Sequence, residues 1–115
     1  MRKNGTMKVD FWCNTAGDGF WTRVRKPVHC IRLAVDPLNS KFGELRVYFD
    51  KSTWINQENG LIYTDGLFEK ELCEQLTKLG FDTSDVSYSE QGMQGSDYVS
   101  CDVGYKFLST WNLMP

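Results

Sequence analysis

The chain predicts an α+β fold: a mainly antiparallel sheet of about five to six strands with two helices packed on one face, in the order β-β-β-β-(β)-α-β-β-α. Three observations predict it. Several stretches alternate apolar and polar residues with a period of two, the pattern of a strand with one buried face. One stretch places Phe68, Leu72, Leu76 and Leu79 at steps of four, four and three, which is one face of a helix. The helical stretches follow a run of strands instead of alternating with them, so the strands pair as neighbours and the helices gather on one side.

Taken in order, residues 1–6 are polar, contain Gly5 and read as a loose end. Met7, Val9, Phe11 and Cys13 then alternate with Lys8, Asp10 and Trp12, which gives a first strand. The turn cluster NTAGDG follows at 14–19. Phe20–Lys26 reads as a second strand, and Pro27 ends it, because proline brings no amide donor to a ladder. Val28–Val35 is a third strand, with His29, Ile31, Leu33 and Val35 on one face and Cys30, Arg32 and Ala34 on the other. After the loop at 36–40, Gly43–Asp50 forms a fourth strand that pairs back on the third, with Leu45, Val47 and Phe49 inward. Asn59-Gly60 is a turn signal, and Leu61–Tyr63 is a candidate short strand after it.

The main helix follows, with Thr64 or Asp65 as its cap and Glu69 and Glu71 near its positive end. Gly80 suits the left-handed position just past the last turn, which lets Phe81 fold back toward Leu76. Asp85–Val103 is the stretch that organises the rest: a hairpin of Val86 and Tyr88 with Val99, Cys101 and Val103. Its two strands are joined by a polar connection that holds Gly92 and Gly95. Phe107, Leu108 and Trp111 then share one face of a short helix that must dock to be stable.

With 115 residues, 41% of them apolar and 24% charged, the sequence reads as a single globular domain over 1–115. No apolar run approaches the roughly 20 residues of a membrane span. The start MRKNGTMKVDF has positive charge but no apolar segment or cleavage site, so a cytoplasmic location is the default expectation. Net charge is −2, but residues 1–51 carry +5 and residues 52–115 carry −7. Such asymmetry marks a candidate polar interaction surface.

Motifs for phosphate, dinucleotide, zinc-protease or hydrolase chemistry are missing from the sequence. Cys13, Cys30, Cys73 and Cys101 lack metal-ligand spacing and read as small buried hydrophobes in a reducing compartment, and no cofactor is expected. The one histidine, His29, precedes Cys30 directly. Strand neighbours point to opposite faces, so these two are not expected to pair, although Cys13 or Cys101 could meet His29 from another strand. Arg23, Arg25, Lys26, Arg32 and Arg46 lie near Trp21, but a pI of about 5.3 makes nucleic acid an unlikely partner.

The remaining candidate is a contact surface. Asp82, Asp85, Glu90 and Asp97 supply negative charge, Met93 an adaptable apolar contact and Gln94 donors and acceptors, at the loops that bound the organising hairpin. These six residues point to a basic protein partner. The expected function is a small cytosolic binding or inhibitor protein: an immunity protein against a toxin, or a phage-encoded inhibitor of a host or defence protein. The alternatives are a small enzyme whose site is built from His29, a cysteine and carboxylates, and a structural or assembly subunit whose exposed aromatics bury on oligomerisation.

Overall fold

A computed structural model describes residues 4–16, 23–49, 66–88 and 98–113. The architecture is α+β. Strand β1 spans Gly5–Ala16, β2 Arg23–Val35 and β3 Gly43–Phe49; helix α1 is Gly66–Lys78; β4 is Ser87–Tyr88 and β5 Tyr98–Val103; helix α2 is Tyr105–Trp111. All pairings are antiparallel. The strand order is β1-β2-β3-β5-β4, in which β4 is a two-residue edge piece beside four longer strands.

Alternation holds along β1: Phe11 and Cys13 are buried, Met7 and Val9 pack against the core, and Lys8, Asp10 and Trp12 are exposed. Two expectations at this end change. Residues 4–6 are not a loose end, since β1 already begins at Gly5 and the Asn4 side chain accepts the Val35 amide at 2.7 Å. The strands expected at 20–26 and 28–35 are one strand from Arg23 onward, with Pro27 inside it opposite Trp12. The pairing of β2 with β3 ends at Val28 opposite Phe49, so the missing Pro27 amide falls where the described ladder has only β1 as a neighbour.

The more consequential change lies one residue on. Val28 pairs with Phe49, yet Cys30 pairs with Tyr48, so His29 is an extra residue and the register shifts there. This is a bulge, and it reverses the facing of β2. Val28 is buried on one side of it and Ile31 and Leu33 on the other, while His29 is exposed. His29 therefore does not share the apolar face with Ile31 and Leu33, as a strict period of two requires.

The inner face of the sheet meets both helices in a single core cluster among the described residues. Phe68, Leu72 and Leu76 of α1 and Phe107 and Leu108 of α2 are fully buried in it. Phe68 meets Phe49 with ring centroids 6.0 Å apart, which seats α1 on β3. Leu79, expected on the same helical face, is instead exposed, because the helix has already ended. Gly80 has φ 103°, its amide donates to the Thr77 carbonyl at 3.0 Å, and the Phe81 amide donates to the Leu76 carbonyl at 3.1 Å. That pair of bonds is a Schellman end, and it turns the chain so that Phe81 enters the core. Phe81 then stacks on Phe107 at 4.9 Å and on Trp111 at 5.9 Å, so the end of α1 and the face of α2 share one aromatic group.

The organising hairpin is present as β4 and β5, with Ser87 opposite Asp102 and Tyr88 opposite Cys101. Val99, Cys101 and Val103 are buried as their alternation requires. The candidate strand at 61–63 and the candidate caps Thr64 and Asp65 lie outside the described residues.

Glu71 is half-buried and accepts from the Asn14 amide nitrogen at 3.1 Å on each carboxylate oxygen, which ties the end of β1 to α1. Leu72→Ala and Leu76→Ala are each expected to destabilise the fold by about 2–4 kcal/mol through the cavity they leave. Glu71→Ala is expected to cost about 1 kcal/mol, and Asn14→Ala a similar amount, because the lost bonds involve a charged acceptor. Denaturant unfolding measures all four, and non-additivity in the Glu71/Asn14 double variant isolates their bond.

Candidate functional site

The six residues expected to form a contact surface divide between described and undescribed positions. Glu90, Met93, Gln94 and Asp97 lie in the connection between β4 and β5, outside the described residues. Asp82 and Asp85 are described, and both sit on the turn between α1 and β4, at the helical side of the sheet.

Asp85 works inside the fold. Its Oδ2 accepts the Lys106 amide at 2.7 Å and its Oδ1 accepts the Phe107 amide at 3.1 Å. Those amides belong to the first turn of α2, which has no side-chain cap of its own because Gly104 precedes it. A carboxylate from a distant turn thus does the work of an N-cap, favoured by the positive end of the helix. Gly104 is required for it: a Cβ there would stand 2.6 Å from the Asp85 Oδ2.

Asp82 is exposed, and its Oδ1 accepts the Ser84 amide at 3.0 Å and the Ser84 hydroxyl at 2.6 Å. These bonds hold its carboxyl below the usual carboxylate range, with a smaller contribution from Lys106. Its own amide donates to the Thr110 hydroxyl at 3.1 Å, a second tie between this turn and α2.

A different surface emerges on the outer face of the sheet, where pairing sets residues in rows. One row is Thr6, Arg32, Arg46 and Ser100; the next is Lys8, Cys30, Tyr48 and Tyr98. Paired residues share a face, so these rows lie opposite the core. Tyr48 and Tyr98 have centroids 5.4 Å apart, and the Arg46 guanidinium lies 4.7 Å above the Tyr98 ring. Glu44 holds Arg46 from the adjacent position, and hydrogen bonds to Glu44 and then Tyr48 keep its charge further above the ordinary arginine range. The bulge adds His29 to this face, with its ring 6.4 Å from Tyr48. Trp12, 43% exposed, continues the surface, with Arg25 6.0 Å from its ring centre.

The strand periodicity put His29 and Cys30 on opposite faces; the bulge puts both on the outer one. Cys13 and Cys101, the other cysteines considered for His29, are buried on the inner face. Burial pushes the Cys13 thiol up to about 12, with Glu71 adding to the rise and Arg25 opposing it. Burial likewise raises Cys101 and Cys73. All four cysteines are thiols; Cys13 and Cys101 are buried, and Cys30 and Cys73 are half-buried. Among the described residues, no three of His, Cys, Asp and Glu converge as a metal site requires, and no helix is long and apolar enough to cross a membrane.

Comparison with known proteins returned no match to a family model, a curated protein or a solved structure.

The Tyr48–Tyr98–Arg46 group escaped sequence reasoning because it is made across strands. Its signal was present only as three polar-face residues, Arg46, Tyr48 and Tyr98, whose registers no local pattern reveals.

Asp85→Ala is expected to destabilise the protein by about 1–2 kcal/mol through loss of the cap on α2. Gly104→Ala is expected to have an effect of the same sign, by displacing that carboxylate. Asp82→Ala is expected to leave the unfolding midpoint in place. Urea unfolding followed by tryptophan fluorescence, to which Trp111 at the end of α2 contributes among the chain's four tryptophans, distinguishes the three.

Proposed function

We propose that this chain is a small binding protein that acts by covering a protein partner. An immunity protein neutralising a toxin, or a phage-encoded inhibitor of a host or defence protein, is the form this reading takes. The supporting observation is the outer face of the sheet, where Tyr48, Tyr98, Arg46 and Trp12 are carried on a rigid ladder outside the core. Tyr, Trp and Arg are the residue types that dominate binding energy at protein interfaces. Strand-borne side chains also lose little further freedom on association.

Mixed charge favours a protein over a polyanion. Lys8, Arg25, Arg32 and Arg46 share the face with Asp10, Glu44 and Asp102, and Glu44 already engages Arg46. A nucleic acid backbone gains from cations and pays for carboxylates at the same surface. A protein can place opposite charges against both.

The hairpin connection extends this proposal. Glu90, Met93, Gln94 and Asp97 precede Tyr98 in the chain, and their acidic members are the reason for proposing a basic partner. Asp82 belongs to the same proposal; Asp85 contributes least to it, since both its oxygens are engaged by α2.

The test begins with affinity capture from the producing cell, followed by binding measurements on the identified partner in purified form. Tyr98→Ala is expected to weaken binding at least about tenfold, or about 1.4 kcal/mol, with an unfolding midpoint near that of the parent chain. Glu90→Lys with Asp97→Lys is expected to slow association, most at low salt. A partner that binds both variants as it binds the parent chain would remove this reading. A native mass showing a stable homo-oligomer that buries Tyr98 would replace it with an assembly role.

A further inference from the structure

We propose that β1 is a dimerisation edge: two copies of this chain pair antiparallel along it, about a two-fold axis at Val9, and join their sheets into one. The proposal goes beyond the binding role of the outer face and does not depend on it.

The two edges of the sheet are unequal. β4 ends one side with two residues, whereas β1 runs for twelve and, among the described residues, has a neighbour on one side only. In an antiparallel strand, successive residues direct their N–H and C=O groups to opposite sides, so about half of the backbone groups of β1 face away from β2. Such an edge is a template for another strand unless it is short, broken by proline, bent away or charged against pairing. β1 is long and contains no proline. Its register on β2 shifts between Lys8 and Phe11, yet its facing alternates without a break: Lys8 exposed, Val9 half-buried, Asp10 exposed, Phe11 buried.

Facing and charge select the occupant. Directly opposite residues share a face, so Met7, Val9 and Phe11 must meet inner-face residues of an added strand, and Lys8 and Asp10 outer-face ones. For two identical strands this puts the two-fold axis through a residue and not between two. An axis at Lys8 or Asp10 would set like charge on like charge. An axis at Met7 or Phe11 would leave both charges without an opposite. At Val9 it sets Lys8 against the partner's Asp10 and Asp10 against the partner's Lys8, two attractive pairs from one self-complementary segment. The same register sets Met7 against the partner's Phe11 on the inner face. Met7 and Val9, which a single copy buries only in part, gain cover there.

The charges that would deter an unrelated strand are thus matched by β1 itself, which is why the occupant is a second copy. An axis perpendicular to the sheet also keeps the helices of both copies on one side. Tyr98 stands on β5, three strands from β1, so the joined edge leaves it open.

The experiment is sedimentation equilibrium of the full chain at low salt, from micromolar to submillimolar concentration. A reversible monomer–dimer equilibrium is expected, with a Kd on the order of 10 μM because one strand edge is a small interface. Asp10→Lys turns both pairs into lysine–lysine contacts and is expected to raise that Kd at least about tenfold. Lys8→Asp combined with Asp10→Lys exchanges the charges and is expected to restore the Kd to within about threefold of the parent value. Lys8→Asp alone is expected to weaken the dimer as Asp10→Lys does, and gives the same reading should the latter lower the unfolding midpoint. Tyr98→Ala is expected to leave the dimer unchanged, so failure here and failure of the outer-face reading are told apart. A monomer at every concentration would overturn the proposal and leave this edge to a strand of another protein or to none. A dimer that both single variants leave intact, or that the exchanged pair does not restore, would overturn it too, since the interface would lie elsewhere.

Discussion

The extra residue at His29 decides which way half of a central strand faces. Before it, Val28 enters the core; after it, Ile31 and Leu33 do, and the interruption lets one thirteen-residue strand serve two registers. Without the shift, either Val28 or the Ile31–Leu33 pair would turn to solvent, with a loss of about 1.5–3 kcal/mol for each large apolar side chain exposed. The same shift brings His29 and Cys30 out together beside Tyr48. Core and surface are therefore set by one backbone irregularity, and the chemistry of the outer face follows from how the inner face had to be filled.

The second dependency is between the turn at 81–86 and α2. A helix of seven residues cannot persist alone, and this one is held by an aromatic stack on Phe81 and by the borrowed Asp85 cap. Both supports come from the segment that links α1 to the hairpin. Gly80 makes the first possible by reversing the chain, and Gly104 makes the second possible by leaving room for a carboxylate. The acidic loop that looked like a contact surface is in part a piece of internal scaffolding. Charge density along a sequence does not separate a capping carboxylate from a solvated one.

Elements with strong local signals were legible. The buried alternation of β1, β3 and β5, the face of α1 up to Leu76, the left-handed Gly80 and the apolar face of α2 all follow from spacing alone. What was not legible depends on the partner strand. A bulge is defined by the residue opposite it, so nothing in VHCIRLAV distinguishes a shifted strand from a regular one. Pro27 was over-read for the same reason: its missing amide ends a strand only where both neighbours continue. The Glu71 bond to Asn14 and the Tyr48–Tyr98 contact join residues far apart in sequence, and helix or strand periodicity contains no trace of such pairs.

The account stands on the facing of His29, and solution NMR reads that facing directly. With the side-chain protons assigned, it predicts nuclear Overhauser contacts from the His29 ring to the Tyr48 ring, and from the Ile31 methyls to Val47 on the inner face. Contacts from the His29 ring to Val47 or Leu45, with none to Tyr48, would contradict it. They would place His29 in the core face after all and part it from Cys30 and the Tyr48–Tyr98 row on the outer face.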